Sequence, residues 1–509
     1  MRNRGILDID GFINPKYSDM LSSAYFENIG RAKDIILDTI KNDGTFLIYA
    51  DVDVDGCTSA SIAYRYLKNY TNKIKTFINK EKDHGIQNYF NLEEELKEVD
   101  TVIIVDSIND SPDKYLQILD MGKQLVIADH HIPNEEILKV KDKICLVSSA
   151  VNYPNSHLSG SGVTWKLMRY IDECTENNYA NLLVDLAACG IISDVCDVGK
   201  DSPENRYICY MGFNNIYNPA LKIIAGNYEF NSTTISYSLS PLVNSANRVG
   251  NNKEALELFI SDDITRIKDI IDNLKSYKDY QKEQVDTIYS DVIINQAQGQ
   301  LDKKCMYFLI SDAKNFAGLI ANKACADFNR PVIVLQDYGD NYSGSMRSVG
   351  VDNFQKIISD SNYAICAGHE MAAGITIPKN NFFLLYNYIE EQLKDYSFKQ
   401  EISVDVELSV NQINSYLIKQ LKLINKISGK GFPAVIVKLS DVSDYKINKM
   451  SNGKHLSLKT NDVSFIKWNF SDWNSVLPDA KLSAIGTLDE NFFAGKHSYQ
   501  LIMDDFVFT

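Results

Sequence analysis

Three apolar runs in this chain end on an aspartate. Leu47-Ile48-Tyr49-Ala50 leads into Asp51-Val52-Asp53-Val54-Asp55-Gly56, Val102-Ile103-Ile104-Val105 into Asp106, and Leu125-Val126-Ile127-Ala128 into Asp129-His130-His131. A short apolar run bounded by polar residues reads as a buried strand, and Asp is a poor strand former. Each carboxylate is therefore expected just beyond the carboxyl end of a strand. A fourth, Asp194, closes the more helical stretch Ile191-Ile192-Ser193. In an open α/β sheet, ligands bind outside the carboxyl ends of the strands. Carboxylates gathered there repel one another unless a cation neutralises them. The pattern predicts a site for two divalent metals.

The rest of the chain fits around that site. Residues 1 to about 45 read as mostly helical, with Ala32, Ile35, Ile36 and Ile40 at helical spacing. Apolar runs then alternate with amphipathic segments to about residue 215, the pattern of a mainly parallel sheet flanked by helices. Residues 252–295 lack Gly and Pro and predict one or two long helices. A second α/β unit is expected from about 300 to 395, with strands at Met306–Ile310, Pro331–Leu335 and Gly374–Ile377. Beyond 400 the short runs Ala434–Leu439, His455–Lys459, Ser464–Trp468, Ala480–Leu488 and Tyr499–Phe506 predict a small barrel or sandwich.

Composition bounds the function. A chain of 509 residues with 45% hydrophobic content is globular and long enough for several domains. No apolar run has the length to span a membrane, and Met1-Arg2-Asn3-Arg4 precedes no apolar stretch of the secretory kind. Nine scattered cysteines without a CxxC pair predict reduced thiols and a cytoplasmic setting. The net charge of −15 argues against a broadly basic surface and leaves room only for local phosphate-binding patches.

Taken singly the motifs are weak. DxDxDG is also the start of a calcium loop, but the strand context and the missing downstream Glu are wrong for one. Asp106 and Asp194 alone read as turn residues. Together, and in this order, the four clusters resemble the motifs of the DHH phosphoesterase superfamily, named for the tripeptide at Asp129-His130-His131. The resemblance implies two Mn²⁺ or Mg²⁺ ions held by Asp53, Asp55, Asp106, His130 and Asp194, with Asp51 as a ligand or close neighbour. It implies that His131 lies beside the scissile phosphate or completes the coordination, and that Asp129 orients a histidine.

Further segments resemble the RecJ branch of that superfamily, the single-strand DNA exonucleases. They are Leu158-Ser159-Gly160-Ser161-Gly162-Val163, Asp185-Leu186-Ala187-Ala188 with Asp194-Val195, Glu204-Asn205-Arg206, and Pro241 through Asn247-Arg248. Asn329-Arg330-Pro331, Gly344-Ser345-Met346-Arg347-Ser348 and Gly368-His369 through Ala373-Gly374 continue the series. Gly429–Pro433, Gly453-Lys454-His455-Leu456 and Asn491–Gly495 resemble that branch's OB-fold. Departures occur at Ile191 (Thr in the family), at Asn247 and Ala367 (both Gly), and in Lys80–Ile86, where an expected Arg is absent and Lys80 or Lys82 stands in its place. Lys is not equivalent to a planar Arg fork.

The resemblance implies an α/β architecture of four parts: a DHH domain with a parallel sheet (1–215), a helical connector (216–298), a smaller α/β DHH-associated domain (299–395) and a C-terminal β-barrel of OB type (400–509). It implies two-metal hydrolysis of single-stranded DNA from the 5′ end to mononucleotides, in DNA repair or recombination. Arg248, Ser345, Arg347, Gly368, Lys80 and Lys454 are the candidate phosphate or DNA contacts, and His369 a candidate catalytic neighbour of the scissile phosphate. His455, Lys459, Lys467, Trp468 and Lys496 join Lys454 as candidates in the barrel, where aromatic residues stack bases and lysines track the backbone. The barrel lysines also read as ordinary surface residues, Trp468 as a residue of the barrel core, and the Gly-rich segments as packing turns. A helicase or single-strand-binding protein is a candidate partner. Two alternatives stand beside this reading: a DHH phosphodiesterase for short RNA or cyclic dinucleotides, and a non-catalytic DHH scaffold in a replication complex.

Overall fold

The computed structural model describes residues 1–80, 85–109, 111–311, 314–398, 402–470, 472–478, 480–493 and 496–509, without the side chains of residues 314, 492, 493 and 496. Lys82, His84 and the tip at 494–495 lie outside the described residues, as does the Lys496 side chain. The chain forms two compact units, Met1–Asp272 with Ser403–Thr509, and Asn273–Ile402.

The first unit is built on a five-stranded parallel sheet. Its strands are β1 (Phe46–Ala50), β2 (Ile74–Ile78), β3 (Thr101–Val105), β4 (Gln124–Asp129) and β5 (Leu146–Ser148), in the order β2-β1-β3-β4-β5. Every residue of β1 and β3 is buried. A parallel sheet covered on both faces needs continuous rather than alternating apolar strands, which is why these runs are legible. One face packs Leu47, Tyr49, Val102, Ile104, Leu125 and Ile127 into a common core. The chain leaves β1 toward β2 on one side and returns to β3 on the other, so a crevice opens between β1 and β3 at their carboxyl ends.

Five helices of this unit bear on the site: α1 (Ile29–Lys41), α2 (Val54–Leu67), α3 (Gly160–Thr175), α4 (Val184–Ser193) and α5 (Pro203–Asn214). Of the first 45 residues, only α1 is a helix of more than five residues. The helices α2, α3 and α4 pack on one another. Almost all of α2 and every residue of α4 up to Ile192 is buried. The stretch expected as one or two helices divides into Asn252–Ile260 and a long helix, α6 (Ile264–Ile288), which a π-helical turn at Tyr289–Ile293 continues. The break falls at Asp263, whose carboxylate accepts from the amides of Thr265 and Arg266, a side-chain cap that starts α6 afresh.

The C-terminal part of this unit is a seven-stranded sheet. It comprises β11 (Val406–Leu408), β12 (Val437–Val442), β13 (Lys446–Met450), β14 (His455–Lys459), β15 (Val463–Lys467), β16 (Leu482–Phe493) and β17 (Lys496–Phe508), in the order β11-β12-β16-β17-β15-β14-β13. Leu439, Leu456, Leu458, Phe465 and Leu501 lie in its core. Arg206 joins this part to the parallel-sheet part. Its guanidinium donates to the carbonyls of Phe12, Val198 and Ile427 and stacks over the Phe12 and Phe432 rings.

The second unit has a five-stranded mixed sheet, β6 (Met306–Leu309), β7 (Val332–Tyr338), β8 (Asn341–Arg347), β9 (Ile365–His369) and β10 (Ala372–Pro378), in the order β6-β7-β8-β10-β9. Only β6 and β7 pair in parallel. Gly344–Arg347 is therefore strand, not a glycine-rich turn: β7 and β10 pair with β8 on both sides. Helix α7 (Ala317–Phe328) packs on β7 and β8.

Candidate metal centre

Sheet register gathers the acidic clusters. Ala50 pairs with Val105 and Val105 with Ala128, so Asp51, Asp106 and Asp129 begin one row past the same level of three adjacent strands. Asp51, Asp106 and Asp129 are all buried. Asp106 takes a positive φ of 52°, a conformation that Asp tolerates better than most residues. Directly after β1, Asp53 caps α2 by accepting from the Gly56 amide at 3.1 Å. Asp55 falls in the first turn of α2, where the helix dipole favours a carboxylate.

The remaining ligand candidates arrive from two other directions. His130 follows β4, and its Nε2 stands 3.2 Å from Asp106 Oδ1, 3.6 Å from Asp194 Oδ2 and 3.9 Å from Asp55 Oδ2. Asp194 is the C-cap residue of α4 and accepts from the Cys196 thiol at 3.5 Å. Donor atoms of Asp55, His130 and Asp194 lie within 4.8 Å of one another, and so do those of Asp106, His130 and His131. His130 is common to both groups, and the two sets adjoin.

Electrostatics show why such a cluster calls for cations. Burial, then the carboxylates of Asp55, Asp53, Asp129 and Asp194, pushes the Asp106 carboxyl well above its usual range. Burial also drives Asp194 up to about 6, with Asp55 and Asp53 adding to it against the pull of His130. Asp106 Oδ1 is buried and takes no hydrogen bond, although His130 Nε2 stands 3.2 Å from it. A buried acceptor aimed into a ring of carboxylates and an imidazole fits a hard divalent ion of the Mn²⁺ or Mg²⁺ kind.

Asp129 does a different job. Its Oδ1 accepts from the His131 amide at 2.7 Å and from His131 Nδ1 at 2.8 Å. Burial alone would raise this carboxyl, but the His131 imidazole outweighs it and holds it low. In return His131 is lifted to about 9: burial pulls it down, and Asp129 more than offsets that. The contact turns Nδ1 toward Asp129 and so orients the imidazole ring.

Two glycines complete the centre. Gly160 and Ser161, in the first turn of α3, donate their amides to Asp55 Oδ2 and Oδ1 at 2.6 and 3.0 Å. A Cβ on Gly160 would stand 2.6 Å from the Asp106 carboxylate, and one on Gly190 would stand 2.0 Å from Asp55 Oδ1 and 1.8 Å from Ser161 Oγ. Gly160 sits in the LSGSGV segment and Gly190 four residues before Asp194. A glycine inside an otherwise apolar buried helix is the signal that points to such a close approach.

The other candidates sit elsewhere. Lys80 is exposed, with Nζ 4.9 Å from the centroid of the Tyr89 ring. Arg248 lies in the last turn of the helix Ser240–Val249 and donates to the Asn244 carbonyl. Lys454 and Lys459 are exposed; Lys467 donates to the Asp504 carbonyl. The half-exposed Trp468 ring meets His455 edge-on at 4.9 Å. In the second unit Ser345 and Arg347 lie on β8, Gly368 and His369 on β9. Arg347 Nη2 and Ser345 Oγ are 2.9 and 3.5 Å from where a Cβ of Gly318 would be. Both thus reach the first turn of α7, and burial lowers the Arg347 guanidinium from its usual range.

Known proteins resemble this chain in sequence and fold. Residues 45–191 match the family model of the DHH family N-terminal domain, and residues 404–505 that of the RecJ OB domain. The SPbeta prophage-derived protein YorK of Bacillus subtilis strain 168 is 24% identical, over 98% of this chain and 94% of its own length. The single-stranded-DNA-specific exonuclease RecJ of the same strain is 23% identical, over 97% of this chain and 65% of its own. The crystal structure of RecJ from Thermus thermophilus in complex with Mn²⁺ superposes with a TM-score of 0.81 at 20% identity, covering 99% of this chain and 74% of that one. The chain thus combines a DHH-family N-terminal domain with a RecJ-type OB domain, in a fold shared with RecJ along nearly its whole length.

Proposed function

We propose that this protein is a two-metal exonuclease that hydrolyses single-stranded DNA from its 5′ end to mononucleotides. The observation that carries the reading is the convergence of Asp55, Asp106 and Asp194, each with a carboxylate oxygen 3.2–3.9 Å from the shared His130 Nε2. The RecJ-type OB domain in the same chain supports a single strand as the substrate.

In this reading Asp53, Asp55, Asp106, His130 and Asp194 hold the cations, with Asp51 behind them. When bound, two divalent ions acidify the attacking water and neutralise charge on the phosphoryl group. Gly160 and Ser161 hold Asp55 at a fixed angle. Asp129 favours His131 as the imidazolium, holding one of its protons on Nδ1, and the second proton, on Nε2, passes to the departing 3′-oxygen. In the second unit, Ser345, Arg347 and the amides at the start of α7 form a phosphate cradle, since hydroxyl, guanidinium fork and helix N-terminus all favour an anion. Arg248, Lys80, Gly368, His369 and Lys454 are further contacts along the strand, and a helicase or single-strand-binding protein is the partner that would feed it.

Parallel digestion of 5′-labelled and 3′-labelled single-stranded DNA, with Mn²⁺ and with chelator, tests this. The expected result is immediate labelled mononucleotide from the first and a shrinking ladder from the second, both abolished by chelator. A metal-dependent product only from short RNA or a cyclic dinucleotide would replace the reading.

A further inference from the structure

The helix that presents Asp194 ends in an unusual way. The Val195 amide donates to the Ile192 carbonyl at 3.2 Å and the Cys196 amide to that of Ile191 at 3.0 Å. These two bonds define a Schellman motif, in which the residue after the C-cap must adopt the left-handed conformation and is usually glycine. Here it is valine, at φ 55°. A β-branched side chain in that region is strained, and among the described residues Val195 is the only β-branched one with a positive φ.

Core packing does not repay that strain, because the side chain is 61% exposed. The neighbouring Cys196 is the buried member of the turn. Glycine or asparagine would serve the turn better. Strain kept at a residue adjoining a metal ligand, without a packing reason, points to a task in the site. A second exposed apolar residue stands in the same relation to the centre. Ile132, 91% exposed, directly follows His131, and His130 and Asp194, the ligand candidates of the two segments, are 3.6 Å apart. Two exposed, branched apolar residues thus directly follow candidate ligands of the centre in the chain.

We propose that Val195, with Ile132, is the contact for the nucleoside of the nucleotide being cleaved, packing on its sugar and base face while the phosphate lies at the metal centre. The proposal rests on the exonuclease reading above. Aliphatic side chains have no hydrogen-bonding groups with which to read base edges, so the contact accepts any sequence, as stepwise removal of nucleotides requires. It also explains why the turn keeps valine: glycine would relax the backbone and lose the contact.

Three variants test it: Val195→Asn, which suits the left-handed turn; Val195→Ile, which keeps the apolar contact; and Ile132→Ser. The readouts are the Tm of the protein in chelator, and KM and kcat on single-stranded DNA with Mn²⁺. For Val195→Asn the Tm is expected to equal or exceed that of the wild type. Its KM is expected to rise about tenfold, the scale of one lost apolar contact, with kcat changed much less. Ile132→Ser raises KM in the same way, and Val195→Ile keeps the wild-type KM. An unchanged KM in Val195→Asn, or a Tm that falls with the activity, overturns the proposal, the second outcome marking Val195 as a structural cap. Wild-type protein that releases no mononucleotide removes the exonuclease reading and this contact together, whereas wild-type cleavage with an indifferent Val195→Asn removes the contact alone.

Discussion

The Asp55 carboxylate receives the Gly160 amide on one oxygen at 2.6 Å and the Ser161 amide on the other at 3.0 Å. Both carboxylate oxygens are thereby aimed from the start of one helix by the start of another, and the space between is filled to contact distance. A methyl group at Gly190 would overlap Asp55 Oδ1 and Ser161 Oγ. Gly190→Ala is therefore expected to rotate Asp55 and lower Mn²⁺ affinity or cleavage by about 10–100-fold, as loss of a ligand's supporting contacts does. Calorimetric Mn²⁺ titration checks it, and wild-type affinity in a folded Gly190→Ala protein would refute it.

Asp106 is buried among Asp55, Asp53, Asp129 and Asp194, so removing its charge should act in opposite directions with and without metal. In chelator, Asp106→Asn relieves like-charge repulsion and should be more stable than the wild type by at least about 1 kcal/mol. With Mn²⁺ at about a hundredfold over its dissociation constant the wild type gains about 2.7 kcal/mol, and the variant gains much less. Cleavage by the variant should fall by at least about a hundred- to a thousandfold. Denaturation curves of both proteins, with and without Mn²⁺, should cross over in rank order; the same rank in both conditions would show that Asp106 is not a ligand.

How far the sequence reveals this site depends on which residues define it. The strands β1, β3 and β4 are readable because a parallel sheet buried on both faces leaves continuous apolar runs, and the aspartates stand out because they interrupt such runs. The edge strand β2, Ile-Lys-Thr-Phe-Ile with no fully buried residue, lacks that signature and cannot be read from its letters. Gly344–Arg347 reads as a turn from its Gly and Ser, yet pairing with β7 and β10 overrides that local preference. Gly160 and Gly190 are visible as letters, but their purpose, close approach to Asp106 and Asp55, exists only once α2, α3 and α4 have packed. Val195 is likewise an ordinary residue until its φ is known.

Glu204, the first residue of the Glu204-Asn205-Arg206 segment, proves to be a structural hub. Its carboxylate pairs with the Lys166 ammonium at 2.5 Å, with both side chains essentially free of water, and accepts from the Leu21 amide, the Tyr153 hydroxyl and the Asn155 amide group. Removing one partner of a buried pair leaves an uncompensated charge. Glu204→Gln is expected to lose about 3–5 kcal/mol of stability, and Lys166→Met in the same chain should restore a large part of it. Urea denaturation of the single and double variants decides this; equal losses in both would mean that the hydrogen bonds of Glu204, rather than the Lys166 charge, set the cost.

The Ser345 and Arg347 side chains point to the first turn of α7 from the strand β8, with Arg347 closest to Gly318. Arg347 also donates to the Met346 carbonyl, which fixes the guanidinium and leaves donors for an anion. A phosphate cradle built in this way depends on the planar fork more than on the charge. Arg347→Lys should therefore behave more like Arg347→Ala than like the wild type, each raising KM for single-stranded DNA while leaving the Mn²⁺ affinity of the DHH centre unchanged. Loss of one charge-assisted pair is worth about 1.5–3 kcal/mol, so KM should rise by about 10–100-fold. Steady-state kinetics on strands with and without a 5′-phosphate measure it. If Arg347 holds the terminal phosphate, the wild type prefers the phosphorylated strand and both variants lose that preference; an equal penalty on both strands would move Arg347 to an internal phosphate instead.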